Sequence, residues 1–209
     1  MRKVILVFAV VMFLAGCQNE VTFDKPQPPD TSPIHSFPDR IQGHYQHPED
    51  LQSLYISDKM VTAPYDNTDR YSKNGLDSAQ YLSGDTLINK TTGQRELAVV
   101  TGDSIIVHHQ GIDTLFAVSS QGVLKKFKGY FFLNRQLASS YWEVYRLSLD
   151  KNMLVIGHIT DSTDIALLKE LSENTHDSTG YVFHPTQKQF NAYLKRDGFK
   201  NRDTFMRVQ

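Results

Sequence analysis

Three times in the middle of this 209-residue chain an Asp and a hydroxylated residue run directly into apolar ones: Gly84-Asp85-Thr86-Leu87-Ile88, Gly102-Asp103-Ser104-Ile105-Ile106 and Asp113-Thr114-Leu115-Phe116. Gly and Asp accept turn geometry, and the β-branched and apolar residues after them suit a pleated surface. The phrase therefore marks strand starts, and a meander of antiparallel strands is expected. Its interval is irregular, which excludes a propeller or a solenoid. Upstream, Leu54-Tyr55-Ile56-Ser57 and Met60-Val61-Thr62-Ala63 flank Asp58-Lys59 as a hairpin. A polar loop is expected over Asp66 to Asp77, with Asn74-Gly75 as its turn. Downstream, Val123–Leu133 and Tyr141–Leu149 carry much of the aromatic mass, and Asp150-Lys151-Asn152 turns the chain into Met153–Ile159. Several of these runs do not alternate cleanly, so both faces of the sheet are expected to be partly covered.

After Ile159 the period changes. Asp161-Ser162-Thr163-Asp164 is a capping cluster, followed by Ile165, Leu167, Leu168 and Leu171 at helical spacing. Pro185 precedes Thr186, and Gln189 stands three residues further on, which spells a capping box. Phe190, Tyr193 and Leu194 form the apolar face of this second helix, with Gly198 expected just past its end and Phe199 packing back. Helices are expected near 163–173 and 186–197. The fold class is thus mainly β with C-terminal helices (α+β): a curved antiparallel meander, sandwich or incomplete barrel, capped by two short helices.

Residues 18–40 hold five of the eight prolines, Pro26, Pro28, Pro29, Pro33 and Pro38, and little periodic apolar content. Proline fixes φ and lacks an amide hydrogen, so a semi-extended tether is expected over 17–40, with a single β-rich globular domain over 41–209. Ahead of it, Arg2 and Lys3 precede eleven apolar residues, Val4–Leu14. That run is shorter than the about 20 residues a spanning helix needs, and it has the build of a secretory leader. Leu14-Ala15-Gly16-Cys17 closes it, and Cys17 is the only cysteine. These four residues resemble the lipobox of bacterial lipoproteins. The resemblance implies a signal peptide over 1–16, cleavage before Cys17, and acylation (diacylglycerol on the sulfur, a fatty chain such as palmitate on the new amine). Several buried chains hold a protein on a membrane where one does not. Gln18, where Asp would favour inner-membrane retention, points by the same resemblance to the outer membrane, on its periplasmic or surface face. The body as a whole resembles uncharacterised Bacteroidota envelope lipoproteins, without a catalytic motif to carry across.

Charge is balanced, 22 Lys+Arg against 23 Asp+Glu, and no basic stripe of the kind that displaces counterions from nucleic acid is present. Losing residues 1–16 removes Arg2 and Lys3 and no acid, taking the net charge from −1 to −3. The sequence holds no Gly-x-Ser-x-Gly or His-Glu-x-x-His motif and no phosphate-cradling glycine loop. His44-x-x-His47-x-Glu49 has poor spacing for a metal, His108 and His109 point to opposite faces of a strand, and His158 reads as a sheet histidine. No catalytic residue, metal ligand or cofactor is assigned. Tyr55, Tyr141, Trp142 and Tyr145 are candidate ligand-contacting aromatics, since rings offer apolar area at small entropic cost; a core and its rim is the alternative reading of the aromatic load. Asp precedes Ser or Thr eight times, at Asp30, Asp77, Asp85, Asp103, Asp113, Asp161, Asp177 and Asp203. Asp-(Ser/Thr)-apolar resembles the O-glycosylation sequon of Bacteroidota envelope proteins, with Ser78, Thr86, Ser104 and Thr114 as its candidates; turn chemistry is the structural alternative. The expected role is a lipid-anchored, non-catalytic binding or assembly module with an envelope protein or glycan as partner. An envelope hydrolase with carboxylates at one end of the sheet, and an accessory subunit of a larger complex, are the alternatives.

Overall fold

A computed structural model describes residues 20–176 and 180–208. The leader, Cys17 and the Asp177-Ser178 pair lie outside the described residues. Along the chain come β1 (Glu20–Phe23), β2 (Pro33–Ile34), β3 (Gly43–Gln46), β4 (Ser53–Ile56), β5 (Met60–Ser72), β6 (Gln80–Ser83), β7 (Thr86–Asn89), β8 (Arg95–Thr101), β9 (Ser104–Ala117), β10 (Gly122–Phe127), β11 (Tyr130–Gln136), β12 (Trp142–Asp150) and β13 (Met153–His158). They are followed by α1 (Ser162–Leu171), β14 (Asn174–His176), β15 (Gly180–Phe183), α2 (Gln187–Lys195) and β16 (Asn201–Arg207). The strands form one open sheet in the order β14-β15-β1-β12-β13-β16-β3-β4-β5-β9-β8-β7-β6, with β11 also on β12, β10 on β11 and β2 on β10. Among the described residues, β1 and β15 are the one parallel pair. The molecule is therefore mainly antiparallel β with two C-terminal helices, as its turn and cap chemistry predict.

β11 and β12 explain the missing alternation. Phe131, Leu133 and Leu147 face a first core with Tyr45, Leu54, Ile56, Leu124, Leu154 and Phe205. Phe132, Trp142 and Val144 face a second core on the other side, with Phe23, Leu167, Leu168, Phe183, Phe190, Tyr193 and Phe199. Nine strands, from β10 round to β5 and on to Phe116 of β9, share the first core, so the sheet curls around it, and the two helices cover the opposite face. Burying two aromatic layers back to back on one strand pair accounts for consecutive large apolar residues where a half-buried strand would alternate.

The tether expected over 17–40 is overturned for residues 20–40. Val21, Thr22 and Phe23 are buried in a strand paired on both sides. Gln27, Pro28, Pro29 and Phe37 are buried as well. The prolines fit because partners distant in sequence satisfy the backbone around them. Lys125, buried on β10, donates from Nζ to the carbonyls of Pro26 and Pro28, both at 2.8 Å. Asn134, fully buried on β11, accepts from the Gln27 amide and donates to the Gln27 carbonyl at 2.9 Å. Burial holds the Lys125 ammonium below the usual lysine range, and two carbonyl acceptors offset part of that cost.

The polar loop expected over 66–77 is strand as far as Ser72, which pairs with Ser104; both faces there are largely solvated, so polar residues suffice. Asp113-Thr114 starts no strand. It lies inside β9 beside a bulge, where Thr62 pairs with Thr114 and Val61 with Phe116, leaving Leu115 extra. Between and after the helices, β14, β15 and β16 add strands where only helical spacing was read. Both caps hold: the Asp161 side chain accepts from the Thr163 amide, and Thr186 and Gln189 form the reciprocal box. At the end of α2 the left-handed residue is Asp197, at φ 60°, rather than Gly198. The amides of Asp197 and Gly198 bond to the carbonyls of Leu194 and Tyr193, the Schellman arrangement. Gly198 serves space instead: a Cβ there would lie 2.4 Å from the Tyr193 ring.

Candidate functional site

The sequence-selected aromatics do not form a platform. Tyr55 is exposed on β4 and stacks on His44 at 4.3 Å. Trp142 and Tyr145 stand three positions apart on β12 and so point to opposite faces. Trp142 is 9% exposed inside the second core, so its assignment as a ligand-contacting ring is corrected to a packing role. Tyr145 packs beside the first core, and its hydroxyl donates to Glu143. Tyr141 is half-buried in the turn leading into β12. Aromatic residues were placed here by the need to fill two cores on one strand pair.

The histidines stay apart as well. His44 reaches Ser53 Oγ at 3.0 Å, and His47 lies 3.0 Å from Asp50 and edge-on to Phe205. His158 is 3.6 Å from Asp203, and His184 is 3.3 Å from Asp24. His108 and His109 take opposite faces of β9. His108 Nδ1 contacts Thr68 Oγ1 at 3.0 Å. His109 is bracketed: Nδ1 lies 3.1 Å from Glu96 on β8, and Nε2 lies 3.2 Å from Asp69 on β5, off the axis of a good hydrogen bond. Tyr71 donates to the same Asp69 at 3.2 Å. Sequence spacing could not reveal this trio, because register across β5, β9 and β8 assembles it.

Beside the trio is a polar groove of about 410 Å³ lined by Tyr65, Gln94, Glu96, His108, His109 and Gln110. In it the His109 ring lies between the Glu96 and Asp69 carboxylates, while His108, on the other face of β9, contacts the Thr68 hydroxyl. A second depression of about 320 Å³ lies along α1, lined by Thr163, Ala166, Leu167, Glu170, Arg196 and Lys200. Arg196 donates twice to Glu170, at 2.6 and 2.9 Å, and holds that carboxyl below its usual range. Among the described residues, no three His, Asp or Glu side chains are grouped to hold a metal ion.

A second set of buried polar groups, besides Lys125 and Asn134, ties the helical cap to the sheet. Asp164 is fully buried and accepts from the Tyr193 hydroxyl (2.8 Å) and from the amides of Phe199 (3.0 Å) and Lys200 (2.8 Å). Burial, and then the Asp164 charge, drive the Tyr193 phenol far above its ordinary range. Arg146 donates to the Gly198 carbonyl at 3.0 Å, between the rings of Tyr130 and Phe199. These groups tie α1, α2 and the chain after them to the sheet, and none opens into either depression.

The four candidate glycosylation residues all fall in the stretch from β5 to β9. Ser78 is exposed in a turn whose Asp77 side chain accepts from the Ala79 amide. Thr86 and Ser104 are half-buried at strand starts, and Thr114 is exposed beside the bulge. The same stretch carries strongly exposed apolar residues: Leu97 at 76%, Val99 at 56% and Ile112 at 71%. Leu97 and Val99 share one face of β8, and Ile106 pairs opposite Val99. No helix among the described residues is long and apolar enough to cross a membrane. No protein-family model matches the chain, and neither does any curated protein or solved structure at a significant level.

Proposed function

We propose that the protein is a lipid-anchored component of a bacterial cell envelope, held on the outer membrane through acyl chains on Cys17, and that it acts as a non-catalytic binding or assembly module. The observation that carries this reading is Leu14-Ala15-Gly16-Cys17 at the end of an eleven-residue apolar run, with no other cysteine in the chain. The exposed apolar face around Leu97 and Val99 supports the assembly part, since such surfaces mark contact sites. Glycans on Ser78, Thr86, Ser104 or Thr114 would decorate the same stretch.

The test is the Cys17→Ser variant beside the wild type in membrane fractionation. The wild type partitions into membranes, and its mature amino end carries the mass of the acyl chains. The variant is left uncleaved or soluble and without lipid. A variant that floats with membranes as the wild type does, or a wild type with a bare thiol, overturns the reading.

A further inference from the structure

Where the fold begins fixes what a lipid on Cys17 can do with the body. β1 starts at Glu20, three residues beyond Cys17. Three extended residues span at most about 11 Å. That leash cannot lengthen cheaply. Residues 20–23 pair along β15, Phe23 also pairs with Trp142 of β12, and Phe23 is fully buried against Phe183 and Phe190. Peeling β1 away would expose a core phenylalanine and break a ladder on each side.

β15 runs parallel to β1, with Glu20 beside Gly180. The strands therefore start at the same level, and the end of the body that carries their starts is the end nearest the anchor. Its described surface is suited to a lipid headgroup region. Tyr181 is half-buried, its ring 4.3 Å from His176 and 3.8 Å from the Lys169 ammonium. Tyrosine and snorkelling lysine favour the membrane–water boundary. In the strand order, β5 and the strands beyond it are separated from β1 by β12, β13, β16, β3 and β4.

We infer that the short leash seats the body directly on the bilayer through its β14–β15–β1 end, with Lys169, His176 and Tyr181 at the lipid surface and the β5–β9 stretch directed away from it. This inference rests on the lipid-anchor reading above. It replaces a domain floating on a proline-rich spacer with one of fixed orientation.

Cys17 is the only native cysteine and is acylated in this reading, so a second cysteine is the only free thiol. The acylated protein is labelled with a fluorophore through Thr175→Cys on β14 or Asp85→Cys at the β6–β7 turn, both exposed positions. It is then reconstituted into vesicles of phosphatidylethanolamine and phosphatidylglycerol doped with a headgroup-nitroxide lipid. The label at 175 is expected to be quenched several-fold more than the label at 85. A Gly/Ser insert of about 20 residues between Gln18 and Asn19 should abolish that difference while leaving flotation intact. Equal quenching at both positions in protein that floats, or a difference the insert leaves unchanged, overturns the seating and spares the anchor. Protein that does not float overturns both.

Discussion

The body and the β5–β9 arm are both antiparallel sheet, yet they are assembled on different principles. In the body, strands far apart in sequence lie side by side: β1 on β15, and β16 between β13 and β3. Two cores of thirteen and twelve buried residues hold them. In the arm, β5 and β9 form a long ladder, and β6, β7 and β8 meander between them with tight turns at Gly84 and Gly102. Its core has four buried residues, Leu87, Ala98, Ile105 and Val107. One region depends on distant segments being present together; the other depends on neighbours and keeps most of its surface in water. The same hydrogen-bond ladder can thus be globally cooperative or locally autonomous, depending on how much apolar surface it buries and how far apart in sequence its partners lie.

The largest effect expected from this contrast is on the body. Deleting residues 20–40 removes Phe23 and Phe37, each worth about 3–5 kcal/mol as a buried ring, from a domain whose total stability is of order 5–15 kcal/mol. The truncated body should lose its cooperative urea transition, followed by fluorescence of Trp142, the sole tryptophan. A truncated chain that melts as the full one does would show that the amino-terminal segment is only laid against the body.

A paired truncation sharpens the comparison. Phe132→Ala in the second core should cost about 3–5 kcal/mol in the Trp142-detected transition. Ile105→Ala also empties a fully buried site, and its cost of about 2–5 kcal/mol should appear as faster amide exchange in β6–β9 with little change at Trp142. Equal shifts of the Trp142 transition would mean that arm and body unfold as one unit.

The smallest effect concerns the cap. The folded Tyr193 phenol is raised above 10.0, the value it returns to on unfolding. Below pH 10 both states hold the proton, and this group adds no pH dependence. Above it the unfolded chain releases the proton and the folded chain keeps it, so stability falls as pH rises. Tyr193→Phe should cost about 1 kcal/mol near neutrality, since Asp164 keeps two backbone donors. It should also flatten the alkaline limb of the urea midpoint against pH. An unchanged limb would remove Tyr193 from the account.

How much could be read in advance follows the same division. The Asp58-Lys59 hairpin, the turns at Gly84 and Gly102, the Asp161 cap and the Thr186–Gln189 box are each completed within a few residues, and each is found where its residues predict. The His109 trio was not legible, because Asp69 and Glu96 reach it only through the register of three strands. The proline-rich segment misled for a related reason. Its composition suits a solvated spacer until Lys125 and Asn134 supply the bonds that let it be buried.

Sequence alone therefore determined the β-rich class, the positions of both helices and the double-sided aromatic strands, since cap, turn and periodicity signals act over one turn of chain. Only the tertiary structure decided that the amino-terminal segment is a strand of the body, that β16 lies between β13 and β3, and that Trp142 is packing rather than surface. A buried amide or carbonyl must find a partner somewhere in the fold. For Gln27 that partner is 107 positions away, a distance at which local chemistry carries no signal.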